Sequence, residues 1–263
     1  MVEDGSSFRD VIDKRCDVLR YLIETSARKP ELVNELPISR STVDRAIRDL
    51  IAVNCVIEDG GEYTATKTGR LALTEYERYS SVTDSIQRSA SLLNHLPKSS
   101  DVDPALLEGA SVTLAEPHAP DQALVPTTRL VENATLMKGL APVVRKSYLT
   151  TISAQFEREA FEAEIVADVD VISALSDIST TPIEPFVRND SLSLYRTDVA
   201  LPYALWIMEA PTGDHAGITV YNSGGVAGTI VNNAADAVKW ARETYQEYRK
   251  QAQSSQLNVG RVS

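Results

Sequence analysis

Along 8–24, "FRDVIDKRCDVLRYLIE", the apolar residues Val11, Ile12, Val18, Leu19, Leu22 and Ile23 recur at helical spacing and predict a buried first helix. Pro30 can open a second, short helix, "PELVNEL", because its missing N–H costs nothing in a first turn, and Pro37 forbids continuation. Ser39 or Ser41 can cap a third helix, with Val43, Ile47, Leu50 and Ile51 as its inward stripe and Arg40, Arg45 and Arg48 left outside. Two short β-prone runs follow in "CVIEDGGEYTATKTG", around Asp59, Gly60 and Gly61, where glycines accept the positive φ of a tight hairpin. Helix, helix, turn, helix, hairpin is the order of a winged helix-turn-helix, which is assigned to 1–70.

Beyond Gly69 the pattern stays helical, with Tyr76, Tyr79, Ile86, Ala90 and Leu93 at heptad-like spacing and a possible break at Ser80 and Ser81. This segment, 71–96, can connect domains, pair subunits, or do both. "PKSSDVDP", 97–104, combines prolines, serines and acids and marks a domain boundary. From there to 252, strand-like runs "SVTLAE", "TLMKGL" and "EAEIVAD" alternate with helical segments around 128–133 and 143–156, which predicts crossovers on a largely parallel sheet. Later runs, "SLSLYRTD", "YALWIME", "AGITVYN" and "VAGTIVN", follow at short spacing and predict antiparallel strands closed by the helix "AADAVKWARETYQEYRK". The tail, 253–263, is aperiodic and is expected to be mobile. The fold class is therefore α+β: a winged helix-turn-helix followed by an α/β domain.

Composition changes this picture in one respect. At 263 residues, 43% hydrophobic and 24% charged, the chain is globular, but its net charge of −11 repels a polyanion at long range. A nucleic-acid contact must then come from a local patch. Arginine outnumbers lysine 18 to 8 and acids exceed bases 37 to 26, a bias suited to a salt-rich cytoplasm. No apolar run approaches the ~18 residues of a membrane span, and the acidic start is unlike a secretion signal, so a cytoplasmic protein is expected. Two cysteines, Cys16 and Cys55, support neither a disulfide framework nor a zinc site; burial as small apolar residues is favoured over a thiol switch.

The local patch lies in "ELPISRSTVDRAIRDL". Between Pro37 and Arg48 there are three arginines against one acid, Asp44. A major groove admits one helix whose first residues meet base edges. Ser39, Arg40, Ser41, Thr42 and Arg45 are placed on that face, with Arg48 near the backbone and Lys67 near the wing. A solvated charged face on a protein-interaction module is the competing reading.

A resemblance enters on these residues. Residues 8–96 are similar to the winged-helix domain of archaeal ArsR-like regulators. The whole chain resembles haloarchaeal transcriptional regulators of the methanogenesis filament regulator family, through "LLEGASVTLAEPHAP", "LMKGLAPVVRKSY", "SLYRTDVALPYALWIME" and "AGITVYNSGGVAGTIVNNAADAVKWARETYQEYR". The resemblance implies a phospholipase D-like α/β fold that senses a small molecule. The phospholipase signature of histidine, lysine two residues later and aspartate is absent around His95, His118 and His215. Hydrolysis by that route is not expected.

Ligands of open α/β sheets lie beyond the carboxyl ends of strands, which singles out His118, Arg145 and Tyr148 after two of the predicted strands. Arg145, near a helix start, can hold a phosphate or carboxylate; an ordinary surface ion pair is the alternative. Asn222 sits in a turn able to approach a ligand, while Tyr195, Arg196 and Asp198 read as strand chemistry, and Trp206 and Trp240 as core. No Walker loop, dinucleotide fingerprint, nucleophile elbow or cofactor box occurs. The expected function is a non-enzymatic, homodimeric DNA-binding transcriptional regulator, without cofactor, answering to a phosphorylated or carboxylate effector. A metabolite-processing enzyme with a regulatory winged helix is the alternative.

Overall fold

The computed structural model describes residues 7–116, 118–158, 161–178, 184–223 and 225–254. The chain forms two compact units, Met1–Ser81 and Val82–Ser263.

In the first unit, α1 (Phe8–Glu24) starts at a reciprocal capping box in which Ser7 accepts from the Asp10 N–H and Asp10 accepts from the Ser7 N–H. α2 (Lys29–Glu35) carries Pro30 in its first turn, and α3 (Arg40–Ala52) follows after Ser39. β1 (Val56–Asp59) and β2 (Glu62–Ala65) pair antiparallel across Gly60 and Gly61, with φ of 59° and 85°, which the tight turn requires. Tyr63 also exchanges two backbone hydrogen bonds with Ala27, tying the hairpin to the α1–α2 connection. Leu19, Leu22, Leu32, Val43 and Leu50 fill the core, each worth about 1.5–3 kcal/mol by burial. The winged helix-turn-helix order is thus present. One position departs from the predicted stripe: Ile51 is exposed, because it lies a quarter turn past Leu50 and outside the arc of Val43, Ala46, Ile47 and Leu50.

α4 (Lys67–Leu93) runs without interruption through Ser80 and Ser81, and the division between the two compact units falls inside it. Lys67 opens this helix.

The second unit is one eight-stranded sheet. α5 (Pro104–Leu107) precedes β3 (Ser111–Leu114); a short 3-10 helix (Pro120–Leu124) and α6 (Val125–Val131) lead to β4 (Leu136–Ala141). α7 (Lys146–Phe156), β5 (Glu162–Ala167), α8 (Val169–Ile178), α9 (Glu184–Arg188) and β6 (Leu192–Arg196) follow. β7 (Ala204–Glu209), β8 (His215–Asn222), β9 (Gly225–Asn232), α10 (Ala235–Gln251) and β10 (Gln253–Ser254) complete it.

The strand order is β10-β6-β5-β4-β7-β8-β9-β3. Only β4–β5 and β5–β6 are parallel, so the sheet is mixed, which corrects the largely parallel expectation. β6, read as the first of an antiparallel run, instead returns parallel beside β5 after the α8–α9 crossover. β10 pairs with β6, so the tail begins as a strand; 255–263 lie outside the described residues. Along β7, Leu205 and Ile207 join the core that also takes α10, whereas Trp206 and Met208 join the core on the opposite face. Both faces are covered, which explains why β7 reads as a continuous apolar run.

Candidate nucleic-acid interface and small-molecule site

The capping of α3 fixes its direction at both ends. The Thr42 N–H donates to Ser39 Oγ at 3.2 Å. At the far end Asn54 takes φ 59°, its N–H bonding to Ile51 O while the Cys55 N–H bonds to Leu50 O, a Schellman closure. With Val43, Ala46, Ile47 and Leu50 facing the core, 100° per residue puts Ser41, Arg45 and Arg48 at the centre of the outer face. Arg40, Arg45 and Arg48 are all exposed, as are Ser39 and Ser41, with Thr42 half-buried.

The acids of this helix are engaged from elsewhere. Asp44 receives Lys29 Nζ at 2.8 Å, and Asp49 receives Arg15 Nε and a terminal nitrogen at 3.1 and 2.9 Å. The Lys29 bond, then the charges of Lys29, Arg40 and Arg48, holds the Asp44 carboxyl below the usual range. Among the described residues, no ion pair engages Arg40, Arg45 or Arg48; Arg45 Nε only donates to Ser41 O at 3.3 Å. Three cations therefore stand without an ion pair among the described residues on one helix of an acidic protein. The hairpin is opposite in sign, since Glu58, Asp59 and Glu62 are exposed on it. Lys67 is exposed just beyond β2.

In the α/β unit, Arg145 is the N-cap residue of α7 and pairs through one terminal nitrogen with Asp121. Its Nε is buried and lacks a partner among the described residues. Arg145 lines a cavity of about 70 Å³ whose wall includes Trp206, Thr219 and Tyr221. Burial, opposed by the Arg145 charge, pushes the Tyr221 phenol up to about 12.

The seat of Trp206 comes from strand register. It is paired across β4 with Gly139 and across β8 with Gly217. A Cβ on Gly217 would meet the indole, so glycine there leaves room for the ring, whereas one on Gly139 would meet Leu205 O at 2.9 Å and so press on the backbone of the strand that carries Trp206. Trp206 is 2% exposed and its Nε1 has no partner among the described residues.

The other sequence candidates fall elsewhere. His118 is exposed in the turn closed by the Glu116–Ala119 bridge. Asn222 lines a separate groove with Ser91, His95 and Glu116. Tyr148 lies on α7, and its side chain is outside the described residues. Cys55 is buried and Cys16 half-buried, both free, and burial pushes both thiols up. Trp240 is half-buried on α10. Among the described residues no three ligating side chains are grouped to hold a metal, and no helix is long and apolar enough to cross a membrane.

Fold and patterning together define a winged helix joined in sequence to a mixed α/β unit. The model for the middle domain of the methanogenesis regulatory protein FilR1 matches residues 117–251, more than half of the chain, and that for the HVO_A0261 N-terminal domain matches 3–88. The chain belongs to the FilR1 middle-domain family, as the motifs of its second half implied. No curated protein matches it. Among solved structures, it is similar at 12% identity to TrmBL2, an archaeal chromatin protein with a novel mode of DNA binding, over 94% of both chains with a TM-score of 0.45. NucT from Helicobacter pylori, at 12% identity, matches 56% of this chain and 98% of its own with a TM-score of 0.40. The phospholipase D family member Nuc from Salmonella typhimurium, at 13%, matches 56% and 99% with a TM-score of 0.41. These superpositions are loose, and nothing is inferred from them.

Proposed function

We propose that this chain is a sequence-specific DNA-binding transcriptional regulator that acts in the cytoplasm as a homodimer and answers to a small effector held by its α/β unit. The observation that carries this reading is α3, where Arg40, Arg45 and Arg48 remain unpaired among the described residues while both acids of the helix are neutralised by Lys29 and Arg15. Ser39, Arg40, Ser41, Thr42 and Arg45 meet the groove, Arg48 meets the backbone, and Lys67 adds a phosphate contact beyond the hairpin. Membership of a family named for a regulatory protein supports the same reading. Ile86 on α4, 40% exposed, supplies apolar surface for the second copy. Arg145 anchors the effector. His118 and Asn222 do not line its cavity, and no role is given to them.

An effector regulates only by binding one arrangement of the dimer better than another. The phospholipase signature is absent from the sequence, so hydrolysis by that route forms no part of this reading.

The test is fluorescence anisotropy on the promoter region of the protein's own gene over a salt series. Arg40→Ala and Arg45→Ala are each expected to weaken binding about tenfold or more, at ~1–3 kcal/mol per base contact. Unchanged affinity in both variants would leave the interaction-module reading in its place.

A further inference from the structure

Arg145 Nε and Trp206 Nε1 are buried N–H groups without an acceptor among the described residues. The other buried atoms without partners are hydroxyls, on Ser89, Ser100 and Thr127. Buried donors ordinarily find acceptors, and the residues that carry these two both line one cavity, which points to a group there that supplies them.

The surroundings narrow what that group is. A second cavity of about 100 Å³ adjoins the first and shares Met137, Ala141, Val143, Arg145 and Ile165 with it. Apart from Arg145 and Ser153 its wall is apolar, closed by α7, α8 and strands β4 to β6. No acidic residue lines either cavity, but Asp121 already sits on one terminal nitrogen of Arg145. The guanidinium is therefore shared, and beside Asp121 a carboxylate brings one further negative charge to the pair where a dianionic phosphate brings two, with twice the repulsion. A sugar would leave hydroxyls unsatisfied against the apolar wall. A carboxylate has one charge and two acceptor oxygens, one for each orphan donor. An apolar cavity of ~150 Å³ accommodates benzene, which sets the scale of the body at a ring or a chain of about six carbons.

We propose that the Arg145–Trp206 cavity binds a monocarboxylate with a compact apolar body, its carboxylate taken by the guanidinium and the indole N–H and its body by the space under α7. The inference rests on reading the α/β unit as an effector domain and names the effector's chemical class.

The test is protein-observed NMR on the full chain with sodium benzoate and sodium hexanoate as probes. The sequence has two tryptophans, so two indole N–H signals appear, and Trp240→Phe identifies that of Trp206. Benzoate is expected to move the Trp206 indole proton downfield, saturably, while the Trp240 signal stays. Arg145→Gln is expected to raise the Kd for benzoate tenfold to a hundredfold, the loss of about one charge-assisted hydrogen bond, and to leave weak binding of benzyl alcohol unchanged. A water-filled cavity predicts no saturable shift with either acid, and that result overturns the proposal. So does phenyl phosphate binding more tightly than benzoate, or an unaltered Kd in a folded Arg145→Gln. Should that variant not fold, the wild-type comparison of benzoate, benzyl alcohol and phenyl phosphate decides alone. Absence of acid binding in a protein that still binds its promoter defeats this inference only. Acid binding that leaves DNA affinity untouched defeats the effector part of the functional reading and leaves the site in place.

Discussion

The arginines of α3 and Arg145 are the same residue in opposite settings. On α3 three guanidiniums are exposed and unpaired among the described residues, with the neighbouring carboxylates engaged by Arg15 and Lys29. Arg145 is half-buried, already shares Asp121, and lines a mostly apolar cavity. An exposed cluster exchanges its counterions for a polyanion and loses affinity as salt rises. A single enclosed guanidinium discriminates by shape and is screened less. On the proposed reading presentation decides the partner, since residue type is constant.

The largest expected effect would break the α3 side of that comparison. Replacing Arg45 and Arg48 together by alanine should lower promoter affinity about a hundredfold, with each lost phosphate contact also flattening the salt dependence by roughly one unit of slope. Benzoate binding by the same variant should be unaltered, and calorimetry would show it. Loss of both activities at once would mean that the two sites are not separate.

The next effect falls on the seat of the enclosed site. Gly217→Ala places a Cβ about where the Trp206 ring and Ile230 O already are, at 2.4 and 2.3 Å. Because one contact is backbone, relief requires the strand to shift, and a cost of about 1–3 kcal/mol is expected in thermal or denaturant unfolding. The displaced indole should also weaken benzoate. A variant as stable as the parent would show that Gly217 is not what seats Trp206.

These two sites were unequally legible. Helical periodicity, the Ser39 cap and the Asp59-Gly60-Gly61 turn are local signals, and they placed α1, α3 and the hairpin with the arginines outside. Ile51 turned outward because a stripe drawn from apolar residues alone does not weigh its angle to Ala46. In the α/β unit the strands were legible but not their partners, since period-2 alternation carries no direction. The α8 crossover went unread because "VDVISALSDI" is rich in β-branched residues; its one signal is Asp168, whose carboxylate accepts the Val171 N–H. Trp206 read as core, and it is buried. That its ring lies against Gly217 depends on register, since the two are adjacent only across strands. Arg145 could be singled out from its place before a helix, whereas its enclosure could not.

The smallest expected effect sharpens the comparison within the first unit itself. The hairpin exposes Glu58, Asp59 and Glu62, with Arg28 at 3.7 Å from Glu62 and Lys29 acting on Glu58. A hairpin of that sign is repelled by phosphate, so DNA affinity must come from α3 with the wing held off the backbone. Replacing the three acids by Gln, Asn and Gln should then tighten promoter binding by only a few-fold at low salt, and the gain should vanish as the Debye length falls below about 8 Å. Anisotropy at two ionic strengths reads both. A large gain that survives high salt would place the wing in direct contact with DNA, and weaker binding would mean that these carboxylates accept hydrogen bonds from bases. Either result would move part of the recognition away from the α3 arginines.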